Sequence, residues 1–262
     1  MSLTNKTLAN TYKDILQMDN SNSGVDTSTR TVKDGEGTQS ALGISDDAVS
    51  IRPNNDDTTT AFIIRAKGGD TLLSVDSTNS KVSALGNYVN TQYENFSIGN
   101  SEATSFTIGS HQAITFGNAN FGTASFPPAF GTGTDPATTF TTSDGNGTRA
   151  SDLVPCIWYV PDAISIDSVT SIEGTDNATG DTTRMHLFSY TFSSGSTNCL
   201  TSGTLLAHNS DVTNAGDEQP YLSTWTVDSA AVTAGKVILA FFESDSINSD
   251  YSLNIKVKYH LT

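Results

Sequence analysis

Between positions 41 and 85 the apolar residues fall into five short runs, none long enough to make a core. They are Ala41-Leu42-Gly43-Ile44, Ala48-Val49-Ser50-Ile51, Ala61-Phe62-Ile63-Ile64, Thr71-Leu72-Leu73-Ser74-Val75 and Lys81-Val82-Ser83-Ala84-Leu85. Asp46-Asp47, Asn54-Asn55-Asp56-Asp57, Lys67-Gly68-Gly69-Asp70 and Asp76-Ser77-Thr78-Asn79-Ser80 separate them. Runs of this length between residues of this kind predict strands joined by tight turns. A narrow ladder of such strands exposes too much apolar side chain and too many edges to be stable alone. It asks for partners, most simply copies of itself.

The C-terminal part reads differently. Tyr251, Leu253, Ile255, Val257, Tyr259 and Leu261 alternate with polar residues, which predicts a half-buried strand over 251–261. His186, Phe188, Tyr190 and Phe192 make a second such pattern, and Tyr221, Ser223, Trp225 and Val227 a third. Val237-Ile238-Leu239-Ala240-Phe241-Phe242 is apolar on both sides and predicts a central strand covered on both faces. Cys156-Ile157-Trp158-Tyr159-Val160 and Ala163-Ile164-Ser165-Ile166 flank Pro161, and Leu205-Leu206-Ala207 completes the set. Strands at this spacing predict a β-sandwich of Greek-key or jelly-roll type.

Between these regions lie the aromatics Tyr88, Tyr93 and Phe96, then alternation at Phe106-Thr107-Ile108 and Ala113-Ile114-Thr115-Phe116. Positions 121–147 are rich in Gly, Thr and Pro and read as a long connection. Near the N-terminus, Leu8, Tyr12, Ile15 and Leu16 have helical spacing, but the polar turn at 19–24 favours an extended arm. The expected organisation is an attachment arm over 1–37, a β-strand shaft over 38–100, a connecting β region over 101–150 and a β-sandwich head over 151–262. The head can bury its own faces, whereas the shaft cannot. Three chains wound together would bury the inner face of each and pair its edges, so a homotrimer is expected.

Composition agrees with an all-β chain. Hydrophobic residues are 35% and charged residues 16% of the 262 positions, with Ser, Thr, Asn and Gly filling the deficit. Such a chain speaks against helices, and its aromatic and β-branched runs speak against disorder. The formal net charge is −15, from 28 acidic and 13 basic residues, and it repels phosphate backbones. Nucleic acid and anionic membrane are therefore not expected partners. Cys156 and Cys199 lie in no Cys-x-x-Cys motif, and two buried thiols are preferred over a metal site or a disulfide. The first ten residues are polar and no apolar stretch reaches spanning length, so neither a signal peptide nor membrane insertion is expected.

The candidates for chemistry are weak. His111, His186, His208 and His260 are far apart in sequence and accompany no Gly-x-Ser-x-Gly motif. Asp46-Asp47 and Asp56-Asp57 are turn formers before they are an acid and base pair. Asp217-Glu218 and Glu243 with Asp245 are further carboxylate pairs. Ser143-Asp144-Gly145-Asn146-Gly147 and Asp176-Asn177-Ala178-Thr179-Gly180-Asp181 offer oxygen ligands but lack the spacing of a calcium loop. No catalytic residue, cofactor or metal is expected. Among aromatic platforms for a sugar, Trp158 and Tyr251 read as core, which leaves Tyr221 and the loops around Asn198 and Asn214 as receptor-contact candidates.

Several phrases carry a resemblance. They are Tyr12-Lys13-Asp14-Ile15-Leu16-Gln17-Met18-Asp19-Asn20-Ser21-Asn22-Ser23-Gly24-Val25-Asp26, Val32-Lys33-Asp34-Gly35-Glu36-Gly37-Thr38, Asn54-Asn55-Asp56-Asp57-Thr58-Thr59 and Leu73-Ser74-Val75-Asp76-Ser77-Thr78-Asn79-Ser80-Lys81-Val82. This first third of the chain resembles the N-terminal region of fibre and other surface structural proteins of marine tailed phages. The C-terminal part is similar in general style to the jelly-roll heads of such fibres. The resemblance implies a non-enzymatic homotrimer on the virion surface, joined through its N-terminal arm to other virion proteins of the tail, an adaptor or the capsid. It implies attachment to a host-surface glycan or protein. A capsid decoration protein and a glycan-binding or glycan-degrading module are the alternatives.

Overall fold

The computed structural model describes residues 15–18, 20, 23–100, 109–117, 129–130, 141–142, 149–175, 179–180, 182–216, 219–244 and 251–262. It is almost wholly antiparallel β-structure, in two compact units that divide between Val89 and Asn90.

The N-terminal unit holds two four-stranded sheets. The first runs β1 (Gln17–Met18), β2 (Arg30–Lys33), β3 (Gln39–Ile44), β4 (Val49–Ile51). The second runs β5 (Phe62–Arg65), β6 (Thr71–Asp76), β7 (Lys81–Ala84), β8 (Asn87–Tyr88). Every strand pairs with its neighbour in sequence, so both sheets are plain meanders. All five apolar runs supply strands, as their length and flanking turns predict. The turns owe their composition to short carboxylate contacts: Asp34 Oδ1 accepts the N–H groups of Glu36 and Thr38, each at 2.9 Å. Asp76 likewise takes the N–H of Asn79 at 3.0 Å and its amide at 2.7 Å. Such bonds favour the charged form and hold both carboxyls below the usual carboxylate value.

What this unit lacks is an interior. Among its described residues Val32 is the one buried hydrophobic side chain, while Val49 is 69% exposed and Leu85 74%. Of the expected arm, residues 1–14 lie outside those described. Gln17 and Met18 pair with Lys33 and Val32, so the first sheet begins within the segment expected to be arm.

The C-terminal unit opens with β9 (Thr91–Asn100), β10 (His111–Ile114) and β11 (Ala129–Phe130), followed by a 3-10 turn at Ala150–Cys156. Then come β12 (Trp158–Tyr159), β13 (Ile164–Thr175), β14 (Thr182–Thr191), β15 (Thr204–His208), β16 (Val212–Thr213), β17 (Gln219–Thr224), β18 (Thr226–Val227), β19 (Ala231–Val232), β20 (Lys236–Ser244) and β21 (Tyr251–Leu261). A five-stranded sheet has the order β17-β13-β21-β9, with β19 also on β13. An eight-stranded sheet has the order β11-β10-β20-β14-β15-β18, with β12 on β20 and β16 on β14. Phe96, Val169, Leu253, Ile255 and Val257 of the first share one core with Met185, Leu187, Ile238, Ala240 and Phe242 of the second, a sandwich-like packing. The far face of the eight-stranded sheet packs Phe188, Tyr190, Leu239 and Phe241 against Leu153 and Cys156 of the 3-10 turn.

That second cluster explains two strands. β20 is buried on both faces, as its unbroken apolar run predicts. β14 is too, although its alternating pattern predicts one exposed face, because Leu187 fills the inter-sheet core while Phe188 and Tyr190 fill the other. Three further expectations change. The sequence pattern puts β9 in the shaft and β10 in a connecting region, yet β9 pairs with β21 over ten positions and β10 pairs with β20. The run 156–160 is a strand only at Trp158–Tyr159, because Cys156 closes the 3-10 turn that contains Pro155. The pattern over 221–227 is broken at Trp225, where the chain leaves β13 and joins β15, its indole fixed by an Nε1–H bond of 2.9 Å to Ser171 Oγ. Of the connection at 121–147, Ala129–Phe130 adds a short edge strand to β10 and 141–142 are also described; the rest lies outside the described residues.

Burial of this kind sets an energy scale. Phe242→Ala removes a fully buried ring at the centre of the shared core and is expected to cost about 3–5 kcal/mol, read as a lower denaturant midpoint of the C-terminal unit.

Candidate functional site

The receptor-contact candidates separate into two places. Tyr221 is half-buried on β17, and its hydroxyl is surrounded: it accepts the Ala215 N–H at 2.9 Å and lies 2.6 Å from Gln219 Oε1 and 3.2 Å from Asn214 Oδ1. Asn214 itself is buried. The pair therefore fastens the loop before β17, and the polar tip of the tyrosine is occupied by its own chain. Asn198 stands elsewhere and is exposed. It lines an open groove of about 680 Å³ with Thr141, Thr191, Ser193 and Ser196 among its walls. Hydroxyl and carboxamide groups in an open concave surface suit a polar, hydroxylated ligand such as a glycan.

The histidines are held in pairs. His111 Nε2 and His186 Nδ1 are 3.0 Å apart, both rings buried and that of His186 6.0 Å from Phe188. Burial, then the neighbouring His111, pushes His186 down to about 3, so it stays neutral across the physiological range. His208 Nδ1 meets Asp228 Oδ2 at 2.8 Å, and His260 Nδ1 meets Asp167 Oδ1 at 2.8 Å. In each of the last two pairs the carboxylate fixes one ring nitrogen. Arg184 Nε binds Asp211 Oδ2 at 3.1 Å and its Nη1 reaches Glu243 Oε1 at 3.6 Å. Among the described residues no cluster of three or more His, Cys, Asp or Glu side chains is placed to hold a metal. Asp46, Asp47, Asp56 and Asp57 are exposed in turns, while 143–147, 176–178, 181, 217–218 and 245 lie outside the described residues.

The carboxyl in an unusual setting is one that sequence reasoning passed over. Glu173 on β13 is fully buried, with Oε1 accepting a 3.2 Å bond from Ser223 Oγ and Oε2 without a partner among the described residues. A register shift between Ile166 and Ser168 puts it there. Ile164 and Ile166 face inward, but after the extra residue Asp167 the inward positions are Val169, Ser171 and Glu173, and Ile172 points out at 56% exposure. Desolvation raises the Glu173 carboxyl to about 7. Both thiols are free, as expected for unpaired cysteines; Cys156 is buried and pushed well up by burial, whereas Cys199 is half-exposed rather than buried.

No protein-family model and no curated protein matches the chain. Among the described residues no helix is long and apolar enough to cross a membrane.

The Glu173 environment has a pH signature. A folded-state carboxyl at about 7 against an ordinary 4.5 means that the folded state keeps a proton the unfolded chain has lost. Stability should fall as pH rises from 4.5 to 7 and flatten above, by about 3 kcal/mol in total for a shift of this size. Glu173→Gln, neutral at every pH, should remove that slope, so denaturant melts of both proteins at pH 5 and pH 8 should converge at the lower pH and separate at the higher.

Proposed function

We propose that this chain is a non-enzymatic structural protein of a tailed-phage particle, a homotrimeric fibre or spike displayed on the virion surface that attaches to the host. The observation that carries the reading is the contrast in burial. The C-terminal unit fills two clusters with aliphatic and aromatic side chains, whereas the N-terminal unit buries Val32 alone among its described hydrophobic residues. Strands with exposed valine, isoleucine and leucine, and with edges at both ends of each sheet, are stable when other chains cover them. Phage-fibre-like phrases occupy that same segment.

In this reading the N-terminal unit is the assembling part, with the arm over 1–37 joining other virion proteins. The C-terminal unit is the displayed part and has jelly-roll character, for which the strand that changes sheets at Trp225 speaks. Attachment works by multivalency: three weak contacts on one particle act at high effective concentration, so no single deep pocket is needed. The open groove beside Asn198 is the favoured contact for a host glycan. The acidic balance, −15 over the chain, keeps the assembly soluble and away from nucleic acid.

Light scattering of the purified protein should give three times the chain mass of 27.6 kDa, and a mass near one chain at all concentrations would remove the assembly reading. Antibody against the C-terminal unit, imaged on intact virions, should label tail-borne projections; label spread over the icosahedral shell would replace attachment by capsid decoration.

A further inference from the structure

The N-terminal unit contains the same three-stranded meander twice. The first copy is β2-β3-β4 and the second β5-β6-β7. Their first turns are superposable in bonding. Asp34 N–H donates to Thr38 O at 3.0 Å and Gly37 N–H to Asp34 O at 3.1 Å, while Ala66 N–H donates to Asp70 O at 2.8 Å and Gly69 N–H to Ala66 O at 2.9 Å. Gly37 and Gly69 sit at φ 89° and 99°, a left-handed conformation that glycine adopts at no steric cost. The pairs that close these turns are Lys33 with Gln39 and Arg65 with Thr71, a step of 32 from 33 to 65 and from 39 to 71. Both ladders slip register beside that pair. Both copies also hang the loop after their second strand on the segment before their first: Asp46 N–H donates to Asp26 O at 3.0 Å, and Ser77 N–H to Thr58 O at 2.9 Å.

The apolar side chains repeat with the backbone. In the first copy Leu42 lies opposite Ile51 and Ile44 opposite Val49. In the second, Leu73 lies opposite Ala84 and Val75 opposite Val82, with Phe62 and Ile64 extending the same face. Residues directly opposite share a face, so each copy presents one cross-strand apolar quartet. That face is partly open: Val49, Ile51 and Val82 are exposed and the other five are half-buried, while Leu72 on the opposite face is open too. Val82 is 39% exposed while Ser83 beside it is 8%, and Val49 is open while Gly43 on the other face is covered, with Thr29 Cγ2 only 3.0 Å from where a Cβ would stand. A solitary sheet in water would turn the valines in and the serine out.

We infer that residues 26–84 are a tandem repeat, and that the two quartets, Leu42, Ile44, Val49, Ile51 and Leu73, Val75, Val82, Ala84, form one seam whose occupant is a second copy of this chain. The inference rests on the assembled reading given above. A repeat that cannot bury its apolar face alone does so by stacking on further copies of itself, and more than two are generally needed. One chain brings two. Another copy of the chain brings the same face twice, in the same order and at the same step, so a single seam covers both quartets in register. A partner of different sequence would have to match that step independently.

The test uses the full-length chain and measures assembled mass across a dilution series. Val49→Asp and Val82→Asp are each expected to raise the concentration of half-assembly at least tenfold, and together to abolish assembly. Thr78→Asp, at an exposed hairpin tip, is expected to leave it unchanged. Val49→Thr and Val82→Thr, nearly equal in shape, should shift it in the same direction by less, which covers the case of an aspartate variant that fails to fold. Wild type that assembles normally while neither valine matters overturns the seam and leaves the assembled reading standing. A response at one valine alone overturns the equivalence of the two copies. Wild type that stays at one chain mass overturns both.

Discussion

An antiparallel sheet in water has two faces and two edges, and the folded state must account for each. This chain meets that constraint in two ways. In the C-terminal unit β13 pairs with β21 over eleven positions and β21 with β9 over ten, and the resulting sheet shares its inner face with β14 and β20. Only a strand covered on both sides can be apolar throughout, and β20 has that position because the 3-10 turn at Ala150–Cys156 helps cover the outer face of its sheet. The N-terminal unit has the ladders without the cover. Its strands are specified locally by turn chemistry, three of its hairpins closed by a few bonds from Asp34, Ser45 and Asp76, while its large side chains are half-buried or exposed, Val32 apart.

If the N-terminal unit assembles as proposed, the two units depend on different variables. Burying an isoleucine or phenylalanine within one chain stabilises it by about 1.5–3 kcal/mol whatever the protein concentration. The same area buried between chains stabilises by mass action and vanishes on dilution. In such an assembly one unit would respond to concentration and its neighbour would not, while both share one backbone. Local pairing with low sequence separation also lets each meander form quickly, whereas β9 must find a strand more than 150 positions away.

Which parts were legible in the sequence follows from the range of the information required. The five short runs, the central strand β20 and the alternation of β21 depend on local pattern, and each is where the pattern puts it. Partners do not follow from local pattern. β9 sits next to the meanders in sequence and next to β21 in space. Phase is fragile as well: one extra residue at Asp167 inverts the second half of β13, so Ile172 is outside and Glu173 inside, the reverse of what their hydrophobicity indicates. The candidate contacts show the same limit. Tyr221 and Asn214 look like free loop residues until their mutual bonding is seen, and Asn198 alone keeps an open setting.

The internal repeat was hidden for a related reason. Leu42-Gly43-Ile44 and Val49-Ser50-Ile51 match Leu73-Ser74-Val75 and Val82-Ser83-Ala84 in pattern, but the step is 31 for the first pair of strands, from 42 to 73, and 33 for the second, from 49 to 82. A fixed-period comparison loses the match, whereas the bonding recovers it, because the register slip in the first ladder and the length of the second hairpin absorb the difference. One side carries the small residues Gly43 and Ser83, both buried; the other carries the valines, isoleucines and leucines of the two quartets, of which Val49, Ile51 and Val82 stand open. Apolar side chains on the partly open face of a repeated, locally closed meander are what a surface made for its own copies would carry.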